Sequence, residues 1–317
     1  MSLARGTFLA ALGAAPALVS PAPRTQTGFR FAHFSDVHVR PDMGAPDGVA
    51  AAFARIDALD VDFAIAGGDL VYDALGASEA DAEALFAQYQ RAIATLRAPV
   101  YNVVGNHDNV GVYAKSGVDP QSPSFGNRLF ERLFGRRYYS FDHLGWHFVI
   151  LDSVRVVGRD WDAQIDDVQL TWLRDDLARV GRAVPIVVAT HVPLLSSVLP
   201  LFPPSLHVVD GPKFRIPNAA NVLDLLWNYD VRAVLQGHSH LPERVLYRNT
   251  QFITSGAVCG MWWRGPFLGN PEGFGLIEVD SGRLSWQYRH SGHRAPASAT
   301  HVPLIGGCGC IAGALVG

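Results

Sequence analysis

Cysteine and net charge are both scarce in this chain of 317 residues. Its three cysteines form no C-x-x-C pair, which excludes a disulfide framework and a cysteine-based zinc site of that pattern. Charged residues make up 17% and the formal net charge is -3, so nothing favours general attraction to nucleic acid. Hydrophobic residues make up 49%, enough for a large buried core. Metal chemistry would therefore have to come from aspartate, asparagine and the twelve histidines.

A hydrophobic run long enough to span a membrane is also missing from the N-terminal segment. The apolar, alanine-rich run from Gly6 to Leu18 is shorter than the roughly 20 residues that a bilayer-spanning helix needs. With Arg5 before it and Ser20-Pro21-Ala22 after it, the run is typical of an export signal. We expect residues 1–24 to be a signal-like segment of a periplasmic or extracellular protein without a transmembrane anchor. The alternative is a disordered or helical arm on a cytoplasmic protein.

A predicted buried strand is followed by a short polar segment, Gly105-Asn106-His107-Asp108. The preceding run, Val100 to Val104, is apolar and rich in β-branched residues, which predicts a strand that ends at this tetrapeptide. The tetrapeptide alone is weak support for a site. Similar clusters end four other predicted strands: Asp36-Val37-His38, Gly67-Gly68-Asp69, His191, and Gly237-His238-Ser239-His240.

The spacing within two of these clusters suits metal binding. Residues two apart in an extended chain lie on one face, so Asp36 and His38 can present a carboxylate and an imidazole together. His238 and His240 repeat this spacing. A surface turn with a capping aspartate remains the alternative for Asp36 taken alone.

Strands and helices alternate along the first half of the chain, which favours parallel strands joined by crossover helices. Helices are predicted over 49–59, 78–96, 167–180 and 219–229. Strands are predicted over 29–34, 61–66, 100–104, 185–189, 231–236, 243–247, 250–255, 275–279 and 284–288, with a hairpin of 137–141 and 146–151 around Gly145. Two long loops, 109–137 and 194–217, lie between them, and a Gly/Ala-rich tail, 291–317, carries Cys308 and Cys310.

The five clusters, in this order, resemble the motifs of the calcineurin-like metallophosphoesterases. The resemblance spans residues 29 to about 290, and stretches 137–153 and 254–279 are similar to exported bacterial members. It implies one domain over 25–290 with a mixed α/β fold, in which a central β-sandwich is flanked by helices in four layers. It also implies a dinuclear metal site on loops at the strand ends.

The resemblance implies a role for each matched residue. One metal ion would be held by Asp36, His38, Asp69 and His240. The other would be held by Asp69, Asn106, His191 and His238, so that Asp69 bridges the two. His107 would lie near the leaving group, oriented by Asp108. Histidines outside the motifs are expected to be structural.

Two divalent ions roughly 3.5–4 Å apart can clamp the attacking and leaving oxygens of a displacement at phosphorus. A bridging water that loses its proton near neutral pH would be the nucleophile. Mixed imidazole, carboxylate and amide ligands suit manganese, iron or zinc better than magnesium alone.

Tyr72, three residues after Asp69, resembles the tyrosine that ligates ferric iron in purple acid phosphatases. Those enzymes have glycine where this chain has His38, so we expect Tyr72 to pack or hydrogen-bond rather than to ligate.

The expected function is hydrolysis of a small-molecule phosphodiester or phosphomonoester: a nucleotide, lipid or sugar phosphate, with no binding of duplex nucleic acid. Loops 109–137 and 194–217 and the pair Trp262-Trp263 are expected to decide among substrates. The tryptophans either stack on a base or sugar or pack under the sheet edge, and we favour packing. The arginines of 127–137 either meet an anionic substrate or form a solvated helix face, and we favour the latter. Alternatives are a monoesterase of purple-acid type, a non-catalytic metal- or phosphate-binding protein, and an amide hydrolase, against which the asparagine ligand argues.

Overall fold

The computed structural model describes residues 28–198 and 213–294. The predicted N-terminal segment, most of the 194–217 loop, Cys308, Cys310 and nearly all of the predicted tail lie outside these residues. Within them, none of the helices is long and apolar enough to cross a membrane.

Thirteen strands and five α-helices are found in this part of the chain. The strands are β1 (Phe29–Phe34), β2 (Phe63–Ala66), β3 (Val100–Asn102), β4 (Tyr139–His143), β5 (Trp146–Ile150), β6 (Val154–Val157), β7 (Asp160–Ala163), β8 (Ile186–Ala189), β9 (Val231–Gln236), β10 (Pro242–Tyr247), β11 (Thr250–Ser255), β12 (Gly273–Asp280) and β13 (Arg283–His290). The helices are α1 (Ala45–Ala58), α2 (Glu79–Ile93), α3 (Arg128–Phe134), α4 (Asp167–Val180) and α5 (Ala219–Leu226).

Two sheets form the centre of the protein. One has the order β13-β12-β1-β2-β3, and the other has the order β10-β11-β9-β8-β5-β4. The predicted parallel pairing is confirmed, because β1 pairs with β2 and β2 with β3 in parallel. The predicted hairpin around Gly145 is confirmed as well, since β4 and β5 pair antiparallel.

The inner faces of the two sheets share one apolar core. Phe31 and Phe63 of the first sheet pack in it with Phe148, Val187 and Leu235 of the second. Because a strand alternates its side chains between faces, the other residues of these strands face outward and need their own cover.

Helices provide that cover on both sides. Phe53 of α1 and Phe86 of α2 pack on the outer face of the first sheet. Leu177 of α4 and Val222 of α5 pack on the outer face of the second. The arrangement is helix, sheet, sheet, helix, so the predicted four-layer fold is confirmed.

The structure corrects several element predictions, among them the 109–137 loop, which holds helix α3. Helix α1 begins at Ala45, four residues before the predicted start, because Pro46 suits the first turn of a helix. Strands β6 and β7 form a two-stranded hairpin that the sequence analysis did not predict. Each has only four residues and, unlike the equally short β2 and β8, is not a continuous apolar run, so its strand signal is weak.

Candidate metal centre

The predicted site residues follow the carboxyl ends of five strands. Asp36 follows β1, Asp69 follows β2, Asn106 follows β3, His191 follows β8 and His238 follows β9. The carboxyl ends of parallel strands meet at one edge of each sheet, which is where open α/β sheets bind ligands. The fold therefore brings clusters that are far apart in the sequence to one place.

Five of the seven predicted ligands have a left-handed backbone. Their φ angles are 53° at Asp36, 45° at His38, 52° at Asp69, 69° at His238 and 59° at His240. This region is uncommon for residues other than glycine, and such strain collects at functional sites. The surrounding structure holds these side chains in place at a conformational cost.

Glycines next to the ligands allow the strand ends to approach closely. A Cβ on Gly105 would lie 2.1 Å from the Asp69 nitrogen, and one on Gly68 would lie 2.5 Å from His191 Nδ1. A Cβ on Gly237 would lie 2.2 Å from Ser35 Oγ. Because glycine has no side chain, the backbones of these loops can approach each other more closely than another residue would allow.

The first group of candidate ligands is Asp36, His38 and Asp69, which offer three ligand atoms within 4.8 Å of one another. His38 Nε2 lies 3.6 Å from Asp69 Oδ2. His240 belongs beside this group, since its Nε2 lies 3.4 Å from Asp36 Oδ1. These are the four residues predicted for the first ion.

The second group of candidate ligands is Asp69, His191 and His238, again within 4.8 Å. His191 Nε2 lies 3.2 Å from Asp69 Oδ2 and 3.1 Å from Asn106 Oδ1. Asp69 thus belongs to both groups, with one carboxylate oxygen between His38 and His191. This is the position that a bridging ligand needs.

The imidazole rings are oriented for metal binding. The Nδ1 atoms of His38, His191 and His240 lie 3.1, 2.8 and 2.7 Å from the carbonyl oxygens of Tyr72, Gly67 and Gly260. A carbonyl can only accept, so Nδ1 carries a proton in each ring, and Nε2 is the nitrogen that faces the candidate ligand groups.

Two buried nitrogens test whether metal ions fit. The Nε2 atoms of His38 and His238 have no hydrogen-bond partner among the described residues. A buried polar atom is normally paired, and an unpaired one needs an explanation. Both atoms belong to the candidate ligand groups, so the donor set fits metal ions that would occupy these two positions.

The charges of His38 and His238 agree with this fit, whereas at His191 burial is outweighed by the Asp69 carboxylate, which raises the pKa to about 9. Burial holds the pKa of His38 well below its usual value and lowers the pKa of His238 to about 3, so both rings are neutral and able to ligate. Burial opposes ionisation of Asp69, but the neighbouring His191 and His107 hold its pKa well below the usual value.

His107 has a different partner from the one predicted. Its Nδ1 lies 3.1 Å from Asp73 Oδ1, whereas the Asp108 carboxylate accepts from backbone N–H groups. Burial lowers the pKa of His107, but Asp69 and Asp73 outweigh burial and raise it. The prediction that Asp108 orients His107 is therefore wrong, and Asp73 does so.

Asp108 instead connects two loops that carry candidate ligands, through hydrogen bonds to their backbones. Its carboxylate accepts from Leu70 at 2.8 Å, Val71 at 3.1 Å and Gly105 at 2.8 Å. It is fully buried, and burial together with the negative Asp69 raises its pKa to about 7. Asp108 fixes the loop that follows Asp69 against the loop that carries Asn106.

The two adjacent tryptophans have different environments. Trp263 is fully buried, and its indole N–H donates to the His38 carbonyl at 2.9 Å. Trp262 packs on His38, with ring centroids 3.9 Å apart and ring planes tilted by 34°, and lines the cavity over the site. Both tryptophans are buried, so the packing prediction holds for both, and Trp262 faces the site as well. Tyr72 packs between Trp262 and the Arg40 guanidinium, whose carbon lies 3.9 Å from the Tyr72 ring centroid.

Cys259 lies at the edge of the site, which the sequence did not indicate. Its sulfur is 3.7 Å from His240 Nδ1, and it groups with His38 and His240 within 4.8 Å. That nitrogen is the one bonded to a backbone carbonyl, so the sulfur lies behind the ring rather than on its ligand side.

A cavity of about 510 Å³ opens over the candidate ligands. Asp69, Asn106, His107, His238, His240 and Trp262 form its floor. Its walls include Tyr113 and Lys115 of the 109–137 loop and Lys213 and Phe214 of the 194–217 loop, the two loops expected to decide among substrates. The sequence analysis did not single out the remaining wall residues: Arg159, Asp160 and Trp161.

The arginines of the 127–137 segment do not line this cavity. Arg128 and Arg132 bind the carbonyl oxygens of Pro120 and Pro123, and Arg137 pairs with Asp152 at 2.7 Å. Their charges stabilise the loop and its surroundings. Of the two roles predicted for these arginines, the geometry does not favour contact with an anionic substrate.

Comparison with known proteins places these observations in a family. The family model described as calcineurin-like phosphoesterase matches residues 29–242. Purple acid phosphatase 23 of Arabidopsis thaliana is 30% identical over 163 residues, which are 48% of this chain and 30% of that relative. The chain thus spans less than a third of the length of this curated relative.

Two solved structures have a similar fold. A dimetal phosphatase from Danio rerio is 16% identical with a TM-score of 0.60, and the match covers 83% of this chain and 96% of that one. GAP50, described as the anchor in the inner membrane complex of Plasmodium, is 15% identical with a TM-score of 0.55, covering 85% and 89%. At these identities the likeness supports the fold.

Proposed function

Because the chain belongs to the calcineurin-like phosphoesterase family, we propose that it hydrolyses phosphoesters with the help of two metal ions. The observation that carries the proposal is the shared position of Asp69. Its carboxylate belongs to both groups of candidate ligands, as a dinuclear centre requires.

Asp36, His38, Asp69 and His240 would hold one ion. The second ion would be held by Asp69, Asn106, His191 and His238. This mixture of imidazole, carboxylate and amide donors suits manganese, iron or zinc. When bound, the ions supply Lewis-acid activation of water and neutralise charge on the phosphoryl oxygens.

His107 is the group that handles the proton of the leaving alcohol. Its ring lines the cavity, 5.1 Å between centroids from the His38 ring. Asp69 and Asp73 raise its pKa and so favour the imidazolium. An imidazolium in this position donates to a phosphoryl oxygen or protonates the leaving oxygen.

A cavity of about 510 Å³ suits a small organic phosphate rather than a polymer. The choice between monoester and diester lies in the cavity walls, since both ester types use the same ligands. The relative from Arabidopsis thaliana keeps a monoesterase of purple-acid type as the alternative. A tyrosinate–iron charge-transfer band that is lost in Tyr72→Phe would favour that alternative.

The test is hydrolysis of p-nitrophenyl phosphate and bis(p-nitrophenyl) phosphate by metal-stripped protein restored with manganese, iron or zinc. We expect activity only after restoration, and Asn106→Ala to lower it at least about 100-fold, because the variant loses a ligand. Asn228→Ala, an exposed asparagine after α5, is the matched control. Stoichiometric metal uptake without turnover on either ester would instead support the non-catalytic binding protein.

We propose further that the domain spans 25–290 and that residues 1–24 direct export. The support is the apolar run after Arg5. N-terminal sequencing of the protein from periplasmic and cytoplasmic fractions of a producing bacterium tests this. An intact N-terminus found only in the cytoplasm would contradict export.

A further inference from the structure

Lysine is nearly absent from this chain. Lysine and arginine together number 26, and only Lys115 and Lys213 are lysines. Both line the cavity over the candidate metal centre, although they come from segments that are far apart in the sequence. A lysine side chain is a compact charge on a flexible stem, which suits contact with a phosphate group.

Arg159 provides a third positive charge on the same wall. It lies just before β7, at the tip of the β6–β7 hairpin, and its Nη1 donates to the carbonyl oxygens of Gly111 and Val118 at 3.1 and 2.8 Å. These bonds fix the hairpin tip against the segment that carries Lys115. We call Lys115, Arg159 and Lys213 the cationic wall.

The cationic wall has a surplus of positive charge. Lys213 Nζ pairs with Asp160 Oδ1 at 2.8 Å. Among the described residues, none of the ion pairs involves Lys115 or Arg159, and Arg159 Nη1 binds backbone carbonyl oxygens instead. The surplus stands against a formal charge of -3 for the whole chain, so it is a local feature and not a consequence of composition.

Aromatic rings join the cationic wall to the candidate metal centre. The centroids of Trp161 and Phe214 lie 6.0 and 5.2 Å from that of His238. Lys213 Nζ lies 5.4 Å from the centroid of Trp161. Only one ring therefore separates the wall from a candidate ligand, and a small molecule in the cavity can touch both.

The stem of Lys115 is held as well. A Cβ on Gly76 would lie 2.1 Å from Lys115 Cε, so the stem crosses the glycine, and its Nζ lies 5.8 Å from the Tyr113 ring centroid. The position of this stem keeps Lys115 among the residues that line the cavity.

We propose that the cationic wall selects phosphoesters that carry a second phosphate group besides the one that is hydrolysed. The scissile phosphate is served by the metal ions and by His107, which leaves the wall without a partner for its surplus charge. A second phosphate supplies that partner through charge-assisted hydrogen bonds. The inference rests on the proposed function and specifies its substrate class.

The kinetic test compares adenosine 5′-monophosphate with adenosine 3′,5′-bisphosphate and ADP on the metal-restored enzyme. We expect a higher kcat/KM for the 3′,5′-bisphosphate than for the monophosphate. ADP, whose terminal phosphate is held by an anhydride bond, is compared as an inhibitor of monophosphate hydrolysis, and tighter inhibition by ADP than by the bisphosphate would show that the second phosphate is adjacent. Lys115→Met and Lys213→Met should each lower that preference about tenfold, since each removes a charge-assisted bond. Arg155→Gln is the control, because this arginine of β6 pairs with Asp162 at 2.6 Å outside the cavity.

A second measurement is independent of turnover. Acetylation rates of Lys115 and Lys213 are followed by peptide mass spectrometry with and without adenosine 3′,5′-bisphosphate, ADP or the monophosphate. We expect a doubly phosphorylated nucleotide to protect both lysines at least about fivefold more than the monophosphate does, because it occupies their hydrogen bonds.

These measurements distinguish failure of the second-phosphate proposal from failure of the proposed phosphoesterase function. Equal protection by all three nucleotides, or equal loss of kcat/KM on the monophosphate and the bisphosphate in the lysine variants, would overturn the selection of a second phosphate while leaving the phosphoesterase intact. Protection of both lysines in a protein that hydrolyses nothing would overturn the proposed function and retain the subsite.

Discussion

At the scale of single residues, some members of the site could be predicted from the sequence and others could not. Asp36, His38 and Asp69 could be predicted because each ends a recognisable strand within a recognisable motif. The partner of His107 could not, because Asp73 lies 34 positions away and reaches it only through the packing of two loops. Asp108, the sequence neighbour, is occupied by backbone N–H groups.

Asp73→Asn tests this pairing. We expect kcat to fall about tenfold for an alkyl phosphate, whose leaving oxygen needs a proton, and much less for p-nitrophenyl phosphate, because His107 loses the charge that keeps it protonated and oriented. The metal content should stay the same. Asp224→Asn, an exposed aspartate on α5, serves as control. An equal loss on both substrates would point to a structural role for Asp73.

Gly105→Ala tests the close approach of the ligand loops. The added Cβ would lie 2.1 Å from the Asp69 nitrogen and 2.2 Å from its Oδ1, so the candidate bridging residue must move. We expect a loss of at least about 2 kcal/mol in the free energy of unfolding and loss of bound metal. Gly145→Asn is the matched control, since nothing lies within 4 Å of that position and asparagine tolerates its positive φ. Similar urea midpoints for the two variants would contradict this reading.

At the scale of elements, strands and helices with strong periodicity were predictable and short or irregular ones were not. Helix α4 and strand β9 have the predicted bounds. The β6–β7 hairpin was missed, yet it brings Arg159 and Trp161 to the cavity. In the loop from Cys259 to Pro266, the sequence could not show which of Trp262 and Trp263 faces the site.

Substituting each tryptophan separately tests the different roles of Trp262 and Trp263. Trp263→Phe should lower the free energy of unfolding by about 2–4 kcal/mol, because it opens a cavity and leaves the His38 carbonyl without its donor. Trp262→Phe should cost less stability and raise KM about two- to tenfold, because its ring lines the cavity. Urea unfolding and steady-state kinetics measure the two effects, and a reversed pattern would refute the assignment.

At the scale of the whole molecule, the alternation of strands and helices predicted parallel strands with crossover helices, whereas the four layers were implied by the family resemblance. The geometry of the buried interior followed from neither. His33 is fully buried between the sheets, with Nδ1 2.8 Å from Ser255 Oγ, and burial lowers its pKa to about 3. The sequence indicated only that this histidine lies outside the metal motifs.

His33 makes stability depend on pH with a definite sign. Its folded-state pKa lies below the unfolded value of 6.5, so the unfolded chain binds the additional proton. The contribution is complete above pH 6.5 and is lost as the pH falls toward 3, by up to about 1.4 kcal/mol per pH unit. Urea titrations between pH 7 and 4.5 should therefore show a shallower slope for His33→Asn than for the unchanged protein. Parallel slopes would exclude His33 as a source of acid sensitivity.

The central claim is that five strand ends build one dinuclear metal centre around Asp69. Anomalous diffraction from crystals of the protein loaded with manganese or zinc tests it most directly. We predict two peaks roughly 3.5–4 Å apart, one beside His38 and His240, the other beside Asn106 and His191, with the Asp69 carboxylate between them. A single peak, or metal bound at Cys259 with Asp69 left unligated, would contradict the account.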